Sequence, residues 1–122
     1  MVSVFIREAQ LADTSTIIAL IQELAVQSGE ASPLTNEYVA VYLSSPGSYV
    51  LLAAEHDRVI GLLSYSVRPD LYHAGSSVLI EELIVRDSER NRSVGSALMS
   101  ELLRRLESIG CAAFLSQTWL GG

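Results

Sequence analysis

Apolar and polar residues alternate through SVFIREA, Ser3 to Ala9, the period of a strand with one covered face. The next run, ADTSTIIALIQELAVQSG, changes period. Ile17, Ile18, Leu20, Ile21 and Leu24 fall on one side of a helix, with Asp13 at its N-cap and Gly29 past its end. SPL is a loop. TNEYVAVYLSS predicts a shorter helix, capped by Thr35 and stopped before Pro46. In SYVLLAAEHDRVIGLLSYSVRP two strand-like runs flank the polar turn EHDR, which signals a hairpin. After the loop DLYHAGS, the run SVLIEELIV is apolar enough to predict a strand buried on both faces. Val94, Leu98, Leu102 and Leu106 then form one helical row, thickened by Met99 and Leu103. CAAFLSQTW reads as a last strand.

The order is β-α-α-β-β-β-α-β, an α/β (α+β) class chain with a mixed sheet. Its strand, arginine-rich turn, helix and strand predict a right-handed crossover, with the two strands parallel at the sheet centre. No repeat, low-complexity segment or linker interrupts the pattern. The 122 residues make one domain's worth, 1–122.

Composition narrows the function classes. With 49% apolar residues the chain is globular rather than disordered. No run reaches the ~18 apolar residues that span a bilayer. MVSVFIREAQ lacks a basic segment followed by a long apolar one, so a cytoplasmic location without membrane partners is expected. One cysteine, Cys111, allows no internal disulfide and too few ligands for zinc. Net charge is −6, and all eight basic residues are arginines. That argues against general nucleic-acid binding, which needs a broad basic surface.

Against this acidic background, VRDSERNRSVGSALMSELLRRLESIG places Arg86, Arg90 and Arg92 at the mouth of a helix. A helix N-terminus presents unpaired N–H groups and roughly half a positive charge, and it binds anions, phosphates above all. Ser93, Gly95, Ser96 and Ala97 are small enough to let a phosphate approach the backbone, and Arg90 and Arg92 add donor forks. The stretch lacks the Gly-Lys-Ser/Thr ending of a P-loop and the glycines of a dinucleotide fingerprint. It reads as a pyrophosphate cradle. Equally, Asp87 and Glu89 can pair with the arginines, and small residues can serve helix–sheet packing. Local features leave both open.

EELIVRDSERNRSVGSALMSEL, taken with the element order, resembles the coenzyme A-binding motif of the GNAT superfamily of acyl-CoA N-acyltransferases. That motif runs strand, Gln/Arg-x-x-Gly-x-Gly/Ala, helix. Arg90 takes its first position, Gly95 its second glycine, and Ser93 stands where the first glycine is usual. The resemblance implies a GNAT-like mixed sheet, lacking the usual last helix and two strands. It implies an N-acetyltransferase that passes an acetyl group from acetyl-CoA to a small or peptidic primary amine by direct attack. The pantetheine arm would bond backbone groups of Leu83, Ile84 and Val85. The pyrophosphate would meet those of Arg90, Asn91, Arg92, Ser93, Val94, Gly95 and Ser96. Should Ser93 need positive φ, serine costs about 1 kcal/mol there.

The resemblance also assigns Glu82 as the base that takes the amine proton, with Glu81 turned to the opposite face by strand alternation. A backbone N–H near Leu83, where the family strand carries a bulge, would meet the oxyanion. The first two helices would shape the acceptor side, with Tyr38, Tyr42 and the loop Gln27 to Pro33. The family's usual acid, a tyrosine on a helix after the fifth strand, would lie beyond Gly122. Tyr65 and Tyr72 are substitutes to weigh as acids, and His73 as a base. The short C-terminus carries three readings: an incomplete chain, a homodimer closing the fifth-strand edge (with Trp119 at the contact), or a catalytically impaired acyl-CoA-binding module.

Overall fold

The computed structural model describes residues 4–90, 92–109 and 114–117. Asn91, Cys111 and Trp119 lie outside them. The elements are β1 (Phe5–Glu8), α1 (Thr14–Gln27), α2 (Asn36–Ser44), β2 (Ser48–Glu55), β3 (Arg58–Asp70), β4 (Gly75–Val85), α3 (Val94–Ile109) and β5 (Phe114–Gln117). This is the element order the hydrophobic pattern predicts. Spatial order equals chain order: each of β1 to β4 runs antiparallel to the next, and β5 runs parallel to β4. The parallel pair is as expected, but it lies at one side of the sheet rather than its centre, with β5 outermost.

Local chemistry accounts for some element ends. Thr35 Oγ1 accepts from Tyr38 N at 3.1 Å and starts α2. Gly29 follows α1 at φ 72°. Asp13 holds the N-cap position of α1 without capping it. Its carboxylate instead accepts both Arg7 guanidinium nitrogens, at 2.8 and 2.9 Å, and the Gln10 amide at 2.7 Å. The second hairpin is longer than the pattern suggests. β3 runs to Asp70 and β4 starts at Gly75, so only Leu71 to Ala74 remain as a turn.

The sheet is covered on both faces. On one, Leu51, Ala53, Leu63, Tyr65, Val78 and Ile80 pack with Val94, Leu98 and Leu102 of α3. On the other, Val50, Leu52, Leu62 and Ile84 pack with Ile17 and Leu20 of α1 and Val39 of α2. Leu103 falls off the predicted α3 row and is 48% exposed. The even-numbered residues of β4 change face between Ile80 and Ile84. A bulge does this: Ser64 pairs with Glu82 but Tyr65 pairs with Ile80, leaving Glu81 as the extra residue. β4 is therefore not buried on both faces throughout; Leu83 is 41% exposed.

Gly61 lets α3 sit close over β3. A Cβ there would lie 3.0 Å from Val94 Cγ1 and 3.1 Å from the Ile84 carbonyl oxygen. The backbone oxygen cannot yield as a side chain can. We expect Gly61→Ala to lower stability by about 1–3 kcal/mol in chemical denaturation, the range for overpacking. An unchanged midpoint would contradict this close approach.

Candidate active site

Two features of β4 set up the site. First, β5 pairs with β4 only from Ser77 to Ile80. Past the bulge, the β5 side of β4 has no strand partner among the described residues. Arg86 N donates to Ile60 O at 3.0 Å, so ladder alternation turns the Ile84 peptide toward β3 as well. The peptide groups of Leu83 and Val85 face the open side. Of the three residues assigned to the pantetheine arm, Leu83 and Val85 therefore present backbone groups to the gap. Ile84 does not, and its side chain is buried in the α1/α2 core.

Second, this open side leads to the start of α3. Ala97 N donates to Ser93 O at 3.0 Å, the first rung of the helix. The Val94, Gly95 and Ser96 amides precede that rung and have no acceptor within the helix. A Cβ on Gly95 would come no closer than 4.0 Å to Leu83 Cδ2 and Val85 Cγ2, ordinary contact. The chain's own packing does not require glycine here, whereas a ligand lying on the backbone would. Ser93 has φ 63°, the left-handed conformation that glycine adopts freely. We expect Ser93→Gly to raise stability by about 1 kcal/mol, measured by denaturant midpoint. A less stable variant would show that the serine side chain holds the turn.

The arginines at the helix mouth are largely committed to carboxylates. Arg92 pairs with Glu55 at 2.5 Å and with Glu89, and Arg58 reaches Glu89 at 2.8 Å. Glu89 is buried, and Arg58 first and then Arg92 hold its carboxyl below the usual range. Arg86 bonds the Val59 carbonyl oxygen at 2.9 Å and Glu23 at 3.3 Å. The Arg92 fork thus braces the turn rather than facing out for a phosphate. Arg90 is different: its side chain is 53% exposed and, among the described residues, pairs with the still more exposed Asp87, at 3.2 Å.

On the α1/α2 face the bulge opens a cleft of about 280 Å³. Ile17, Ile21, Leu34, Val39 and Leu62 line its apolar part, and Ser64, Tyr38, Tyr42, Glu81 and Glu82 its polar part. Both glutamates line it, where strict alternation predicted only one; the extra residue breaks the alternation. The Ser64 hydroxyl donates to Glu82 Oε1 and accepts from Glu82 N at 3.0 Å. Burial raises the Glu82 carboxyl above the ordinary range, the neighbouring Glu81 adds to the rise, and the Ser64 hydrogen bond offsets part of it. A second hollow, lined by Ser28, Glu30, Ala31, Ser32 and Pro33 of the α1–α2 loop, also reaches Glu82. That loop is fixed by Gln22, which bonds the Ser32 carbonyl at 2.7 Å and amide at 3.0 Å.

The other acid and base candidates lie elsewhere. Tyr65 is buried on the α3 face, stacked on Tyr49 at 5.1 Å, and burial raises its hydroxyl. Tyr72 is 90% exposed. His73 pairs with Asp70 at 3.1 Å beyond the end of β3 and does not line the cleft. The pattern of residues singled out Tyr42 only as a lining residue; its distinctive state is visible only in the packing. Its hydroxyl is buried and makes no hydrogen bond of normal geometry among the described residues. Burial first, then Glu81 and Glu82, push that hydroxyl far up, and a contact with the Ser64 hydroxyl, short of normal hydrogen-bond geometry, offsets part of the rise.

The model of the acetyltransferase (GNAT) family matches residues 16–119. The chain belongs to this family. A GNAT relative, aminoalkylphosphonate N-acetyltransferase of Salmonella typhimurium, is 30% identical over 95 residues. The match covers 78% of this chain and 61% of that protein, so the chain spans about three fifths of the relative's length. Among solved structures, a Trypanosoma brucei acetyltransferase superposes with TM-score 0.78 at 22% identity, over 98% of this chain and 84% of its own. An aminoglycoside acetyltransferase from an uncultured soil metagenomic sample, in complex with sisomicin, superposes with TM-score 0.82 at 18% identity, over 97% and 78%. Such distant likenesses establish the GNAT fold. Among the described residues no helix is long and apolar enough to cross a membrane, and no His, Cys, Asp and Glu group could hold a metal ion.

Proposed function

We propose that the chain is an acetyl-CoA-dependent N-acetyltransferase of a primary amine. One observation carries the reading. An open stretch of β4 backbone runs into a helix start whose glycine the chain's own packing does not need. These residues fit a coenzyme A: the Leu83 and Val85 peptides would hold the pantetheine arm. The amides from Ser93 to Ser96 would hold the pyrophosphate, with Arg90 exchanging its exposed pairing with Asp87 for the phosphate. The Arg92 amide belongs to the same turn; the assigned Asn91 lies outside the described residues. Bound acetyl-CoA supplies the activated thioester.

Glu82 is the proposed base. A protonated amine has no lone pair for attack, and a carboxyl raised by burial is better matched to an ammonium than an ordinary one. It sits one residue from the Leu83 amide, which would donate to the oxyanion. The test is release of free coenzyme A from acetyl-CoA in the presence of amines, beside calorimetric titration with acetyl-CoA. Binding with amine-stimulated release supports the enzyme. Binding without release leaves an acyl-CoA-binding module, and no binding removes both.

A further inference from the structure

We infer that the acceptor is a cationic amine with an apolar body and no anionic group, received between Glu81 and the buried Tyr42 hydroxyl. This rests on the acetyltransferase reading and deepens it. The cleft offers an apolar wall of Ile17, Ile21 and Val39 facing two carboxylates on adjacent residues. Only the bulge brings both carboxylates to one face. Glu82 is engaged with Ser64, and Glu81 beside it supplies the second negative charge. Among the described residues no cationic side chain lines the cleft, so a negative group would meet hydroxyls but no compensating charge. All eight basic residues of the chain are arginines at described positions, and none lines the cleft. Seven of them are held in ion pairs elsewhere: Arg7, Arg58, Arg86, Arg90, Arg92, Arg104 and Arg105. A carboxylate or phosphonate on the acceptor would enter beside two like charges in a partly desolvated space, which is strongly unfavourable.

Tyr42 gives the cleft its second point of recognition. Its buried hydroxyl has only a contact with Ser64 that falls short of normal hydrogen-bond geometry. An under-satisfied buried hydroxyl is costly to the folded chain, and a ligand that bonds it recovers that cost. An ammonium donates three hydrogen bonds, so one can go to the phenol oxygen and others to the carboxylates. Substitution separates this role from packing. Tyr42→Phe removes the under-satisfied hydroxyl and keeps the ring, so the fold should be no less stable while the amine is held less well.

The experiment is calorimetric titration of the protein, first loaded with coenzyme A, with three probes: 2-phenylethylamine, phenylalanine and 2-aminoethylphosphonate. The expected result is that 2-phenylethylamine binds at least tenfold tighter than the two anionic amines. Tyr42→Phe should weaken it about fivefold or more with no loss of melting temperature, and Glu81→Gln should narrow the selectivity. Equal or tighter binding of either anionic amine, or no binding of any probe to the loaded protein, overturns the assignment while leaving the acetyltransferase reading to its own test. Failure to load coenzyme A would instead overturn that reading and this one with it. A Tyr42→Phe variant that binds the amine as well as the parent removes Tyr42 from recognition.

Discussion

Replacing Glu82 by Gln should lower kcat at neutral pH by roughly 100-fold or more, the contribution of a positioned general base. Acetyl-CoA affinity should stay within about twofold, because Glu82 lines the α1/α2 cleft and not the helix mouth. The pH profile carries the same signature. Burial and Glu81 raise the Glu82 carboxyl. The basic form therefore accumulates later than an ordinary carboxylate would, and kcat/KM should climb through that raised value and then level. Glu82→Gln should flatten the climb. Stability runs the opposite way. A carboxyl whose folded pKa lies above its unfolded one favours the fold at low pH, and that benefit is lost as pH rises through the folded value. Glu82→Gln, which never ionises, should therefore melt no lower than the parent at neutral pH. A variant that keeps its rate, or that loses rate and fold together, would remove Glu82 from the chemistry.

Gly95→Asp should separate binding from folding still more sharply. Gly95 is the second residue of α3, and a Cβ there meets only ordinary contacts at 4.0 Å. Leaving glycine gains up to about 1 kcal/mol of helix propensity, and an acidic side chain in the first turn suits the helix dipole by about 0.3–1 kcal/mol. The melting temperature should hold or rise. Yet the new carboxylate would occupy the approach of a diphosphate and repel it, and acetyl-CoA affinity should fall by roughly 100-fold. That corresponds to about 2.7 kcal/mol. Unchanged affinity would mean that the anion lies elsewhere.

The hydrophobic pattern made most of the fold legible. The stripes of Ile17 and Leu20, and of Val94, Leu98 and Leu102, predicted which helix faces lie on the sheet, and each is buried there. The length of β4 and its half-covered face were not legible. Gly75 and Ser76, which open β4, carry no strand signal, and a bulge leaves no mark in the residue types around it; only the resemblance placed one near Leu83, and it lies at Glu81. The same bulge hid the acceptor cleft, because alternation sends Glu81 away from Glu82 until one extra residue reverses it. Positive φ at Ser93 was raised as a condition by its place in the motif, and the backbone adopts it. The fate of Arg92 was not decidable from spacing, since Glu55 stands 37 residues away in the chain. The burial of the Tyr42 hydroxyl depends on how α2 meets β4, which no local pattern encodes.

The most direct test is a nitrogen–proton correlation spectrum of the labelled protein, followed through a titration with coenzyme A. The amides of Ser93, Val94, Gly95 and Ser96 should move most and saturate together, with those of Leu83 and Val85 following the same curve. A spectrum that does not change, or one whose largest shifts fall away from β4 and the start of α3, would contradict the account.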